Sequence, residues 1–147
     1  MQEEKKLTIN SESPTKEDLY GPNNGAISTT DKVSIYAPNA VDIDKGLFMG
    51  FMQIKSADFP CVEEIRDDAF LDSGLESINA PNARFIGKWA FQNCKQLKTA
   101  NCPKLEVIGY HAFRDSGLES INAPKAKVIR DCAFQNSDLK SINAPKA

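Results

Sequence analysis

Apolar and polar positions along this chain follow a pattern that returns every 21 or 22 residues. An Ala-Phe pair occurs four times, and successive phenylalanines are 21, 22 and 21 residues apart. Proline and isoleucine keep the same period, with each isoleucine five residues after a proline. The repeated positions are Phe70, Phe91, Phe113 and Phe134; Pro38, Pro60, Pro81, Pro103, Pro124 and Pro145; and Ile43, Ile65, Ile86, Ile108 and Ile129. Agreement at several columns predicts an internal repeat that begins near residue 31.

Each repeat contains a short predicted strand, of which residues 75–80 are an example. Side chains alternate along a strand, so Ile78 and Ala80 are predicted to point inward and Ser77 and Asn79 outward. The proline that follows ends the strand, because it has no N–H for the ladder. Stacked copies then form a parallel sheet with two outward columns. The columns are Ser34, Ser56, Ser77, Thr99, Ser120 and Ser141, and Tyr36, Asp58, Asn79, Asn101, Asn122 and Asn143.

A third outward column alternates in charge from one repeat to the next. Its members are Lys55, Glu76, Lys98, Glu119 and Lys140. Neighbouring strands lie about 4.8 Å apart, so each charge is predicted to meet opposite charges above and below. An exposed pair is worth only ~0–1 kcal/mol. The main effect of the column is therefore on register, since a slip by one turn against a second copy of the chain would pair like charges.

After the proline, the chain is predicted to turn a corner into a second extended piece, in which Ala126 and Ile129 face the core. The Ala-Phe pair, as at Ala133-Phe134, is predicted to form a short helical turn that leads into a polar loop. The core would then consist of like residues stacked on like residues. The phenylalanines are predicted to form one buried file.

Two segments carry a specific motif: Ile86-Gly87-Lys-Trp-Ala90-Phe91-Gln-Asn-Cys94-Lys-Gln-Leu97 and Ile108-Gly109-Tyr-His-Ala112-Phe113. The motif resembles the BspA-like leucine-rich repeats of bacterial and some protozoan proteins, and the resemblance covers residues 31–147. It implies a β-rich leucine-rich-repeat solenoid, a right-handed superhelix with a parallel sheet and about five turns. The family shares a scaffold rather than an activity, so the resemblance is informative mainly about fold.

Residues 1–30 do not repeat, and we predict an N-terminal extension or cap there, with the solenoid over 31–147. A stacked-repeat protein needs its first turn covered, because an open end exposes the core. Residues 15–30 are predicted to form part of that cover and residues 1–10 to be loose. A linker to an upstream domain is the alternative interpretation.

Charge and hydropathy exclude several classes of partner. The net charge is −2 and 26% of the residues are charged, so no basic face for nucleic acid is expected. No apolar run approaches the ~18–20 residues of a transmembrane helix. The first seven residues have no apolar core and do not form a signal peptide. The resemblance implies a secreted or cell-surface protein, and a cytoplasmic location stays open.

The four cysteines occupy four different repeat columns and are predicted to be small buried thiols. A Cys61–Cys102 disulfide is the alternative. The chain has a single histidine, so neither a zinc site nor any other cofactor is expected. Cys132, His111 and Asp68 would make a nucleophile set by residue type, but they belong to three different turns. Two turns separate Asp68 from His111, roughly 10 Å, with Trp89 between them. We therefore predict no catalytic site and no enzyme.

Two surfaces remain as candidate partner contacts. One is the Ser/Asn face of the sheet: Tyr36, Ser77, Asn79, Thr99, Asn101, Ser120, Asn122, Ser141 and Asn143. The other departs from the resembled motif, which has a polar residue just before the core isoleucine. Here three apolar residues stand at that column: Phe85, Val107 and Val128. They predict either a contact patch or side chains partly covered by their neighbours.

The function that these observations favour is a non-enzymatic protein-interaction or adhesion module that presents a repeat surface to a protein or cell-surface partner. The alternative is a structural spacer, or a fragment of a longer repeat array, with no binding role of its own. The last turn has no capping segment, and we take a homodimer through this C-terminal turn as a further hypothesis.

Overall fold

The computed structural model describes residues 4–20 and 31–147. Over these residues the elements in chain order are β1 (Glu4–Thr8), α1 (Lys16–Tyr20), β2 (Lys32–Tyr36), β3 (Asp42–Ile43), β4 (Ile54–Asp58), β5 (Glu64–Ile65), β6 (Ser77–Asn79), β7 (Phe85–Ile86), β8 (Thr99–Asn101), β9 (Val107–Ile108), β10 (Ser120–Asn122), β11 (Val128–Ile129) and β12 (Ser141–Ile142). The strands are short because each ends where the chain turns to the next side of the coil.

The strands form two parallel sheets, which the chain visits alternately from β2 onward. The main sheet has the order β1-β2-β4-β6-β8-β10-β12, and the second sheet has the order β11-β9-β7-β5-β3. Ser77 pairs with Thr99 and Asn79 pairs with Asn101, so equivalent residues of adjacent repeats are neighbours in the sheet. A parallel-sheet solenoid of about five turns, with almost no helix, is thereby confirmed.

The core is a stack of phenylalanine rings that runs through the middle of the coil. Successive centroids are 4.9, 5.1, 4.9 and 5.4 Å apart, and the last three pairs are within 5° of parallel. The rings belong to Phe48, Phe70, Phe91, Phe113 and Phe134. The first four are fully buried and the last is half-buried. The predicted single file of phenylalanines is confirmed. Phe48, which lies in an earlier and less regular copy of the repeat, extends the file by one ring.

The Ala-Phe segments are series of tight turns and not the helical turns that the sequence predicts. The N–H groups of Ala69 and Leu71 donate to carbonyls three residues back. The N–H of Phe70, between them, instead donates to the carbonyl of Ala90 on the next turn, at 2.7 Å. A helix would use every N–H internally, whereas here alternate N–H groups join neighbouring turns. Left-handed φ values of 55–61° make this possible at Asp68, Asp72, Trp89, Asn93, His111, Asp115, Cys132 and Asn136.

The N-terminal segment is part of the fold. Strand β1 pairs along its whole length with β2, and Leu7 and Ile9 are buried. The prediction that residues 1–10 are loose is therefore wrong for 4–10. Leu19 of α1 is also fully buried. Residues 21–30, which the predicted cover includes, lie outside the described residues.

Among the five isoleucines that follow the prolines, Ile129 is the one that is not buried. Its side chain is 36% exposed, whereas Ala126 of the same repeat is fully buried. Strand β11 is the edge strand of the second sheet, so Ile129 has a stacked neighbour, Ile108, on one side only.

Replacing Phe113 by alanine should lower the free energy of unfolding by ~3–5 kcal/mol, because the ring is buried between two stacked neighbours and leaves a cavity. Replacing Phe134 is the matched control, since that ring is half-exposed at the end of the stack and should cost clearly less. Urea denaturation monitored by circular dichroism measures both. Equal midpoints for the two variants would contradict the stacked core.

Candidate functional site

The outward face of the main sheet carries a ladder of side-chain amides. Asn122 donates to Asn101 at 3.1 Å, and Asn101 donates to Asn79 at 2.8 Å. Asn79 donates to the carboxylate of Asp58 at 2.9 Å, where the ladder ends. Because Asn79 and Asn101 both donate and accept within the column, much of the hydrogen-bonding capacity of this face is already used.

The remaining predicted contacts on this face lie along the same two columns. Ser77 and Tyr36 are half-buried. The exposed members are Asn79, Thr99, Asn101, Ser120, Asn122, Ser141 and Asn143. Asn143 follows the end of β12 and lies outside the strand. At the N-terminal end the face holds a hollow of about 460 Å³, where Lys6 lies 5.3 Å from the ring centre of Tyr36.

The alternating charges of the main sheet make weak ion pairs. Glu119 lies 3.7 Å from Lys98 and 4.0 Å from Lys140, and all three are well exposed. Lys55 is paired with Glu4 of β1 at 3.3 Å. Glu76 departs from the prediction, because one of its carboxylate oxygens is buried without a hydrogen-bond partner among the described residues.

A second alternating column, which sequence reasoning missed, lies beside the second sheet. Its members, two residues before each core isoleucine, are Glu63, Arg84, Glu106 and Lys127. Arg84 donates twice to Glu106, at 2.8 and 3.0 Å, and Lys127 approaches the same carboxylate at 3.6 Å. The hydrogen bond from Arg84 holds the pKa of the Glu106 carboxyl below its usual range. The spacing from the isoleucines would have revealed this column.

The second sheet carries the apolar column. Phe85 pairs with Val107, and Val107 pairs with Val128, so the three side chains are neighbours across β7, β9 and β11. Phe85 is 36% exposed, and the two valines are half-buried. Tyr110, which sequence reasoning did not single out, is 44% exposed and lies close by. These four residues, called the apolar stripe below, form a continuous surface.

Beside the apolar stripe lies a hollow of about 290 Å³. Its lining consists of Asp67, Phe85, Lys88, Val107, Gly109, Tyr110 and Arg130. A Cβ on Gly109 would stand 2.7 Å from the backbone carbon of Gly87, closer than real Cβ atoms come. The Ile-Gly pairs of the motif are thus required by the close approach of adjacent turns.

The corner column does not assemble a nucleophile set. Asp68, His111 and Cys132 each have a positive φ, and Trp89 occupies the same position on the turn between Asp68 and His111. The ring of Trp89 lies 6.5 Å from that of His111. His111 Nδ1 has no hydrogen-bond partner in the described structure, so no base is aligned with the thiol.

The cysteines divide into two classes, all with free thiols. Cys94 and Cys102 are buried as predicted, and burial raises the pKa of their thiols to about 11 and about 12. Cys94 also donates to the carbonyl of Phe70 at 3.0 Å. Cys61 and Cys132 are exposed, which contradicts the prediction for those two. They occupy variable positions at the corners of the coil.

Among the described residues, no cluster of three or more His, Cys, Asp or Glu side chains could hold a metal ion. No helix in the same part of the chain is long and apolar enough to cross a membrane.

A coil of 21–22 residue turns, with a parallel sheet and a stacked aliphatic and phenylalanine core, defines a leucine-rich-repeat solenoid. The family model of the BspA type leucine-rich repeat region matches six copies over residues 26–146. The chain therefore belongs to the BspA-type leucine-rich-repeat family, as its motifs indicated. No curated protein matches the chain in sequence.

Thiol labelling should separate the two classes of cysteine. At pH 8 the thiols of Cys94 and Cys102 are almost wholly protonated and shielded from solvent, so two of the four should react promptly with a thiol reagent. Cys61→Ser and Cys132→Ser should each remove one prompt equivalent, and denaturant should expose all four. Prompt reaction of Cys94 in the native protein would contradict its buried position.

Proposed function

We propose that this protein is a non-enzymatic interaction module that binds a protein partner through the apolar stripe. Membership of a leucine-rich-repeat family supports an interaction role in general terms. The observation that carries the proposal is the exposed, continuous arrangement of Phe85, Val107, Val128 and Tyr110. A secreted or cell-surface location, as in many members of the family, is part of the proposal.

The apolar stripe is a better binding surface than the Ser/Asn face for a thermodynamic reason. Covering apolar surface contributes about 25 cal/mol per Å². Covering amides and hydroxyls costs free energy unless the partner replaces each lost hydrogen bond to water. The amides between Asp58 and Asn122 already bond one another, which leaves a partner fewer groups to satisfy.

The surroundings of the apolar stripe match the usual anatomy of an interface, in which an apolar centre has a polar rim. On one side lie the ion-paired Arg84, Glu106 and Lys127. On the other side lie Lys88 and Arg130, with Asp67 between the stripe and the coil corner. Arginine side chains, which are enriched at interfaces, are present on both sides of the stripe, at Arg84 and Arg130.

A structural spacer is the second candidate, and the ladder on the main sheet favours it. Columns of amides and of alternating charges bond to one another and present a uniform surface, as a spacer requires. Such a protein would have no use for an exposed phenylalanine in place of the acidic residues at the same column, Asp42 and Glu64.

Selection of peptides tests the proposal. A random twelve-residue peptide library displayed on phage is selected on the immobilised wild-type chain, and the enriched peptides are measured against Phe85→Ser. We expect affinity to fall about tenfold or more, because Phe85 is the largest wholly apolar side chain of the apolar stripe.

Asn101→Ser on the main sheet is the matched control and should leave affinity unchanged. Circular dichroism confirms that both variants remain folded. Peptides whose affinity falls with Asn101→Ser and not with Phe85→Ser would place the binding surface on the Ser/Asn face instead. If no peptide binds saturably, the spacer is favoured. If light scattering shows a mass that rises with protein concentration, and Phe85→Ser abolishes that rise, the partner is a second copy of the chain.

A further inference from the structure

Resting on the proposed function, we infer the chemistry of the partner: a protein segment whose apolar side chains are flanked by carboxylates. The inference comes from the hollow beside the apolar stripe. At about 290 Å³ it is at the small end of ligand pockets, which measure roughly 300–1,000 Å³. A hollow of this size receives a side chain of a larger partner rather than a whole cofactor.

The walls of the hollow are apolar. Phe85, Val107 and Tyr110 form its sides, and the backbone at Gly109 forms its base. The turns pack backbone against backbone at Gly109, so a partner group in the hollow would contact the side chains of Phe85, Val107 and Tyr110. The hollow is therefore an anchor site for one large apolar side chain of the partner, with the valines of the apolar stripe beside it.

Two cations also line the hollow. Lys88 Nζ lies 3.7 Å from the ring centre of Trp89, and the Arg130 guanidinium lies 5.7 Å from that of Tyr110. Within the described parts of the chain, neither cation has a carboxylate at ion-pair distance. The aromatic rings hold both charged groups beside the hollow without neutralising them.

The one carboxylate in the lining, that of Asp67, does not compensate these cations fully. Asp67 Oδ1 accepts a hydrogen bond from the backbone N–H of Lys88 at 2.8 Å. Two cations and one carboxylate leave a charge of +1 around the hollow. On the opposite rim the cations are instead ion-paired, because Arg84 and Lys127 share the carboxylate of Glu106.

A partner carboxylate placed beside the anchor would make charge-assisted hydrogen bonds to Lys88 or Arg130, which are stronger than those between neutral groups. A lysine or arginine at the same place would be repelled. Charge complementarity of this kind decides which partner binds and how fast, while the apolar anchor supplies most of the affinity. The interaction should weaken with salt, since both cations are at the surface.

Three labelled eleven-residue peptides test the inference. All share a central Leu-Phe-Leu between Gly-Ser ends, and two Glu, two Gln or two Lys flank the centre on each side. Fluorescence anisotropy at about 20 mM and about 200 mM salt measures their dissociation constants. We expect the Glu peptide to bind at least tenfold more tightly than the Lys peptide at low salt, and the preference to shrink at high salt.

Charge reversal supplies the second measurement. The double variant Lys88→Glu and Arg130→Glu should invert the preference in favour of the Lys peptide. The matched control, Lys125→Glu and Lys146→Glu, changes the net charge by the same amount at exposed lysines outside the hollow and should preserve the order. The two double variants therefore separate a local contact from a general effect of net charge.

The outcomes separate the two proposals. If all three peptides bind equally well and all lose affinity with Phe85→Ser, the apolar stripe is a binding site and the inference about carboxylates is wrong. If the Glu peptide is favoured but the preference survives Lys88→Glu and Arg130→Glu, the inference is also wrong. If no peptide depends on Phe85, the proposed function is wrong as well.

Discussion

The pitch of the coil is the constraint on which the rest of this structure depends. Phenylalanine rings stack at 4.9–5.4 Å, close to the distance of about 4.8 Å between hydrogen-bonded strands. Both interactions therefore demand the same rise per turn. The alternate N–H groups of the Ala-Phe segments add a third set of bonds between turns, for example from Phe91 to Ala112 at 2.7 Å. Each turn is held to the next on all three sides of the coil.

A constant pitch converts the repeat into columns on the outside as well as inside. Identical side chains placed about 4.8 Å apart must either bond to one another or alternate in charge. The asparagines bond to one another, and their column ends at the carboxylate of Asp58. The two charged columns alternate in sign, and they do so in opposite phase. A turn with Lys98 on the main sheet therefore carries Glu106 beside the second sheet. Each such turn is neutral at these two positions, and no long stripe of one sign builds up.

The proposed binding surface lies where a column departs from this pattern of mutual bonding or alternating charge. At the second sheet an acidic column changes to apolar residues at Phe85, and a hollow lies beside it. Lys88 and Arg130 stand next to that space and bind aromatic rings rather than carboxylates. A uniform solenoid needs none of these features, and together they supply an apolar anchor, a polar rim and a charge preference.

The sequence by itself determined the period, the register of both sheets and the identity of every outward column, because a repeat stacked at one pitch leaves no freedom in what lies above what. The apolar column at Phe85, Val107 and Val128 could be identified from the sequence for the same reason. Only the tertiary structure decided the features that depend on backbone conformation without a residue signature. Trp89 and Cys132 adopt left-handed φ values although Gly, Asn, Asp and His are the residues that favour them, so the tight turns could not be distinguished from helical ones.

The N-terminal strand and the hollow also required the tertiary structure. Leu7 and Ile9 show no repeat, and β1 joins the main sheet because β2 would otherwise present an unpaired edge. The hollow is lined by residues from four successive turns, whose distances from one another depend on how closely the backbone packs, for example at Gly109. Sequence spacing specifies which residues share a column, whereas the space between columns is set by packing.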